Sequence, residues 1–302
     1  MLEWFNLFLS TVYKNRLLCA GLIALGYAAL AALAWRAMGA QTEKGQAQST
    51  GASEHYGLLL LVILHTGVML DGVWASETAN NAEGLVSLYP GFAQALSFAS
   101  VIGLWIFLLE SRWVNLYALR PLALCLPAVA VVLAASIRAT PVLLTPWTAL
   151  HVLCAIAAHG MALLCAGHAL LIWRLDRSLR LGLETHSDTQ SGSGALARIA
   201  QHSPPLVVLE RSLLRLCVWV IGLLAATVGL GSFRADSGAL RLDHKTVLTV
   251  VSLCAWAAVW WGYHQRAWRG RTLNTAVWGA TGLLLLSYIG SRFVMQEVLH
   301  KI

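Results

Sequence analysis

The sequence predicts an all-α, polytopic membrane helix bundle with about eight transmembrane helices. Three observations carry that expectation. Hydrophobic residues make up 58% of the 302-residue chain and charged residues only 12%, with a mean hydropathy of +0.67. A soluble domain carries roughly 25% charged residues, about twice this share, so lipid must be the solvent for most of the chain. The apolar residues also gather in runs of roughly 20, the length that crosses about 30 Å of hydrocarbon. Finally, Lys and Arg fall in short groups between those runs.

Eight runs can be marked in order, at 17–36, 57–75, 92–110, 119–137, 149–173, 212–233, 246–264 and 274–295. Before them, MLEWFNLFLS is too short to span. Lys14 and Arg16 follow this stretch, the reverse of the charge order of a cleaved signal peptide. Residues 1–16 are therefore expected to lie in the membrane interface, held by Trp4, Phe5 and Phe8. The first transmembrane helix is expected over 17–38 and a flexible linker over 39–55. A second Gly- and Ser-rich stretch, 182–203, reads as a flexible cytoplasmic loop between five spans and three.

Of the 21 basic residues, 13 lie in the segments after the first, third, fifth and seventh spans. The segment after the second span has none, carrying Glu77 and Glu83 instead. The positive-inside rule then places both termini outside and the charge-rich loops in the cytoplasm. The net charge of +7 is accounted for by those loops, and no aromatic-laced basic groove suggests nucleic acid. All six cysteines lie in apolar runs, with no C-x-x-C pair, and read as buried and inert.

What remains polar inside the spans narrows the function. Asp, Glu, Lys and Arg are almost confined to the ends of the apolar runs, which argues against an ion-coupled transporter. Neither a P-loop, H-E-x-x-H nor G-x-S-x-G occurs, and no enzymatic activity is expected. Histidine is the exception: His65, His151, His159, His168 and His264 all fall within spans. Neutral imidazole tolerates low dielectric and offers a nitrogen ligand, so these residues point to a cofactor rather than a proton path. Along the fifth span, His151 and His159 are about 80° apart and can face one cavity, whereas His168 is turned about 180° from His159. Most of the 13 tryptophans sit near span ends as an aromatic belt, with Trp260 and Trp261 as exceptions.

Three segments carry a resemblance. WTALHVLCAIAAHGMALLCAGHALLIW (147–173) resembles a helix of the cytochrome c assembly superfamily, which includes CcsA-, CcmC- and HemX-like proteins. RLDHKTVLTVVSLCAWAAVWWGYHQRAWRGR (241–271) resembles the outer loop, the helix after it and its Gly-Trp-Arg-Gly end, with Ala267 in place of the first Gly. LLLLSYIGSRFVMQEV (283–298) resembles the closing helix of the YpjD-type branch, which LHTGVML at 64–70 also fits. The similarity covers residues 57–298, a cytochrome c assembly-like transmembrane domain.

The resemblance implies haem b held by histidines. His151 matches an outer-face histidine, His264 the histidine closing the helix after the outer loop, and His65 one in the second span. His159 stands where relatives often have Tyr. The expected ligands of haem iron are therefore His65, His151 and His264, with His159 a possible neighbour of His151. His65 with His264 would form a site in the inner half. Arg138, Arg234, Arg241 and Lys245 outside, and Arg266 and Arg269 inside, are candidate propionate partners. The Trp-rich outer loop is reduced to GSFRADSGALRLDHKT (231–246), and Ser287-Tyr288-Ile289-Gly290 replaces a second outer histidine segment. Two functions remain open: a haem-binding assembly or accessory factor, or a haem-free membrane scaffold that docks a membrane or cytoplasmic protein partner through its cytoplasmic loops.

Overall fold

The computed structural model describes residues 15–40, 50–77, 86–88, 91–137, 142–180, 202–233 and 244–290. Eight α-helices lie among them: α1 (Arg16–Ala40), α2 (Thr50–Glu77), α3 (Phe92–Glu110), α4 (Arg120–Ser136), α5 (Pro146–Arg180), α6 (Leu206–Phe233), α7 (His244–Gln265) and α8 (Gly270–Leu285). A 3-10 turn, Tyr117–Leu119, leads into α4, and a π-helical turn, Leu286–Gly290, continues α8. The all-α expectation holds, with one small addition. Strands β1 (Val86–Leu88) and β2 (Val142–Leu144) pair antiparallel, Ser87 opposite Leu143. These short β-prone runs between helix ends lay below what a reading of 20-residue spans can detect.

Among the described residues six helices are long and apolar enough to cross a membrane: Arg16–Met38, Phe92–Glu110, Tyr117–Ser136, Pro146–Arg177, Leu206–Ser232 and Thr246–Gln265. In α2 the apolar part is shorter, Glu54–Leu70. The eighth expected span, 274–295, runs past the described residues after Gly290. The interfacial segment 1–16 lies almost wholly outside them as well, and so does most of the loop 182–203. Of the linker expected over 39–55, residues 39–40 end α1 and Thr50–His55 form the first turns of α2, and 41–49 lie outside the described residues. Glu54 there accepts hydrogen bonds from Arg120 (3.2 Å) and Tyr117 (3.3 Å), which anchors this end of the helix to α4.

α5 is the central element, packed against α3, α6 and α8; α1 covers α4, and α7 sits against α6 and α8. Large apolar side chains such as Leu18, Leu25, Leu60 and Trp219 point outward from the bundle, the pattern of helices that face lipid rather than water. Two ends can be told apart. The ribbon end holds β1, β2 and the start of α5. The opposite, basic end holds Glu54, the Glu110–Arg120 turn, the Arg174–Arg180 end of α5 and the α7–α8 corner.

The α3–α5 crossing depends on glycine. A Cβ on Gly160 would stand 2.5 Å from the Ala99 carbonyl oxygen, and one on Gly103 3.0 Å from the Gly160 oxygen. Both obstacles are backbone, which cannot rotate away, so close approach of the two helices requires these small residues. Gly160→Ala is expected to lower stability by about 1–3 kcal/mol, the usual cost of overpacking. Thermal unfolding in mild detergent measures it, and an unchanged midpoint would contradict the crossing.

The α7–α8 corner is equally specific. Ala267 has φ of +52°, a left-handed conformation that strains any residue with a Cβ. The Trp268 amide donates to the Gly262 carbonyl (3.0 Å), and the Trp268 ring lies where a Gly262 Cβ would be. Ala267 thus occupies a position suited to glycine, the residue the resemblance supplied there. Ala267→Gly is expected to raise stability by about 1 kcal/mol, read as a higher unfolding midpoint.

Candidate functional site

The five span histidines fall into two groups according to what holds their ring nitrogens. His65 is fully buried on α2. Its Nδ1 lies 3.2 Å from the Tyr27 hydroxyl on α1, and its Nε2 lies 2.8 Å from Ser97 Oγ on α3. Both nitrogens are committed to fastening three helices together. His159, also buried, sits at the α5–α8 seam. Its Nε2 lies 2.9 Å from the Leu284 carbonyl and its Nδ1 2.7 Å from that of Ala155. Leu284 stands two residues before the π-helical turn. His159 and Ser287 Oγ (2.7 Å) both reach its carbonyl.

His168 is fully buried, and its Nε2 lies 3.3 Å from Glu110 Oε2. Its Nδ1 donates to the Leu164 carbonyl (3.0 Å). The second Glu110 oxygen accepts from Ser212, whose hydroxyl also receives Arg215 (3.2 Å). A polar chain therefore runs from exposed Arg215 on α6 through Ser212 and Glu110 to the buried imidazole on α5. Glu110 closes an apolar run, a position at which a charge ordinarily meets the interface; the structure buries it. A signal was present: His168, turned away from His159 and near the basic end, needed a partner on α3 or α6.

The other two, His151 and His264, are not fully buried. His151 is half-buried near the ribbon end, and its Nδ1 donates to the Thr227 carbonyl on α6 (2.8 Å). Gly231, one turn on, leaves room for this ring: a Cβ there would lie 3.2 Å from its Cε1. His264 is exposed at the basic end of α7, its Nδ1 donating to the Trp260 carbonyl (2.9 Å). That bond fixes the tautomer in which Nε2 carries the lone pair, the second-shell arrangement that prepares a histidine for ligation. Trp260 lies against the imidazole with ring centroids 4.5 Å apart, and Tyr263 edges it at 5.2 Å. Trp260 and Trp261 are exposed, whereas Trp256, one turn earlier, is fully buried.

Arginines frame this patch. Arg266 stacks on Trp261 at 5.1 Å. Arg269 lies 3.6 Å over Tyr263 and donates to Glu210 on α6 (3.0 Å), so its charge is already partly neutralised. Arg234 and Arg241, expected as outer propionate partners, and Arg138 lie outside the described residues.

Two expected pairings are not formed. His151 and His159 do not share a cavity: an offset of about 80° on α5 is enough to send one ring to α6 and the other to α8. His65 and His264 do not meet either, since His65 is enclosed by α1 and α3 while His264 faces outward from α7. Among the described residues no three His, Cys, Asp or Glu side chains converge as a metal site. The cysteines are all free, but Cys125 and Cys254 are exposed on the outside of the bundle, so only Cys165 and Cys217 fit the expectation of buried thiols.

A multi-pass bundle of apolar helices, with three histidines buried between them, defines a polytopic membrane protein. The chain belongs to the cytochrome c assembly protein family, whose model matches residues 52–300. It is similar to proteins named "Inner membrane protein YpjD" from Escherichia coli K12 and O157:H7, each 29% identical over 99 residues. That match covers 32% of the chain and 38% of each relative. No solved structure matches.

Proposed function

We propose that this chain is an inner-membrane, haem-binding assembly or accessory factor, with both termini in the periplasm and His264 near the cytoplasmic surface. The observation that carries the reading is the His264 environment. Its Nδ1–H is tied to a backbone carbonyl, its Nε2 side is exposed, and an indole lies against the ring. A flat, largely apolar ligand with anionic edges fits such a surface: Trp260 and Trp261 supply apolar faces, and Arg266 a cation beside them. His151 offers the same tautomer at the other end. His65 could ligate only by giving up Ser97 or Tyr27, and His159 only by giving up a carbonyl, so both are assigned to packing.

Haem bound there would supply iron redox chemistry. The chain's own residues bind and orient it, and no catalysed reaction is assigned to them. Haemin titration of the detergent-purified protein tests this. Binding is expected to show a Soret shift typical of histidine ligation and to weaken at least about tenfold, or about 1.4 kcal/mol, in His264→Ala. Equal titration curves for the two proteins would remove His264 from the proposal.

A haem-free scaffold is the second reading. It is supported by the fate of His65, His159 and His168, whose rings all take part in helix packing. In that case the basic segment 174–215 docks a membrane or cytoplasmic partner, and the titration gives only weak, histidine-independent binding.

A further inference from the structure

A cavity of about 330 Å³ lies between α3, α4, α5 and α8, and no histidine lines it. Its floor is the close α3–α5 crossing, with Gly103, Gly160 and Gly167 in the lining. Its sides are Leu122, Leu126 and Pro127 on α4 and Trp278, Gly282 and Leu285 on α8. The walls lean apart because α4 packs chiefly on α1 and α3, and α8 on α5 and α7. Leu122, Trp278 and Gly282 are exposed along the rim, so the cavity opens sideways towards lipid. Only Ser100 and Thr281 bring hydroxyls to it, and these already donate to the Ser97 and Val277 carbonyls of their own helices (both 2.8 Å). The groove thus presents mainly hydrocarbon.

Its length and its end identify what fills it. From Gly160 to Leu170 the α5 lining runs about 15 Å at 1.5 Å per residue, half of the roughly 30 Å hydrocarbon core. One turn beyond Leu170, on the same stripe of α5, stands Arg174, with Arg177 following it. Both are exposed, and both guanidinium groups lie over the Trp173 ring, at 5.3 and 5.7 Å. We infer that the groove seats one acyl chain of an anionic phospholipid from the leaflet at the basic end, with Arg174 and Arg177 holding its phosphate. The apolar slot takes the tail from the headgroup level to the midplane, and the arginine pair selects the negative headgroup.

Native mass spectrometry of the full chain tests the site, after detergent exchange from bilayers of equal phosphatidylglycerol and phosphatidylethanolamine. Gly282→Phe is the blocking variant, because a Cβ at Gly282 meets no atom within 4 Å and the ring enters the groove without touching backbone. Gly279→Phe, on the same helix with equally open space, is the matched variant outside it. Wild type and Gly279→Phe are expected to retain one phosphatidylglycerol, and Gly282→Phe to lose it. The Arg174→Gln/Arg177→Gln variant, which leaves the groove intact, is expected to retain it about tenfold less and to prefer neither lipid. Retention by Gly282→Phe at the wild-type level would overturn the site. So would equal retention of both lipids by the wild type, an unchanged preference in the arginine variant, or a groove that carries detergent alone.

Discussion

His168→Leu is expected to be the most destabilising single replacement in the bundle, costing about 3–5 kcal/mol. The reason lies in what it leaves behind. The Glu110 carboxylate is nearly buried at the basic end of α3 and has His168 within 3.3 Å. Without the imidazole, a carboxylate remains in low dielectric with only Ser212 and, through it, Arg215 to offset its desolvation. The reciprocal change, Glu110→Leu, leaves a buried imidazole that keeps its Nδ1 bond to Leu164, and a neutral orphan costs less, about 1–3 kcal/mol. The double variant removes both groups and should recover most of the loss, since apolar replacements of a buried pair are often neutral. Thermal unfolding of the three variants in one detergent checks the order. Equal losses for all three would mean that packing volume, not the polar pair, holds α3, α5 and α6 together.

The second large effect concerns ligation. His264→Ala and His65→Ala are expected to fail in different ways. His264 is exposed and bonded only to its own helix carbonyl and to neighbouring rings, so its removal should leave the unfolding midpoint nearly unchanged while co-purified haem falls severalfold or more. His65 joins α1, α2 and α3 through Tyr27 and Ser97, so its removal takes the imidazole partner from the buried Ser97 hydroxyl, while Tyr27 keeps the Leu61 carbonyl (3.3 Å), and should lower the midpoint by a measurable step. Haem occupancy per folded protein should survive. Haem-to-protein ratio and unfolding midpoint, recorded on the same preparations, separate the two roles. Loss of haem in folded His65→Ala with retention in His264→Ala would reverse the assignment.

Much of this architecture could be read from one chain because the bilayer imposes a length and a composition. The runs at 92–110, 119–137 and 246–264 match α3, α4 with its preceding turn, and α7 to within a few residues, since each is bounded by charge or proline. The start of α2 was less legible: Thr50–His55 is polar and looked like linker, and only the fold brings Glu54 to Arg120. The histidines show the same limit. Their presence inside spans was plain, and the angular offset along α5 correctly set His168 apart. Which nitrogen each ring has free depends on neighbours far away in sequence, such as Thr227 for His151 and Leu284 for His159. Helical phase gives a direction but not the helix that lies in that direction. Glu110 was overlooked for the same reason, because the end of an apolar run is at the surface only if nothing packs over it.

We propose that an exposed histidine on α7, held by the Trp260 carbonyl, makes this family member a haem-binding protein. The most direct test is the pyridine haemochrome spectrum of the full chain, purified in mild detergent from haem-replete cells. The wild type is expected to carry b-type haem approaching one per chain, and His264→Ala far less. Colourless wild-type protein that is folded by its unfolding transition would contradict the proposal and leave the scaffold reading in its place.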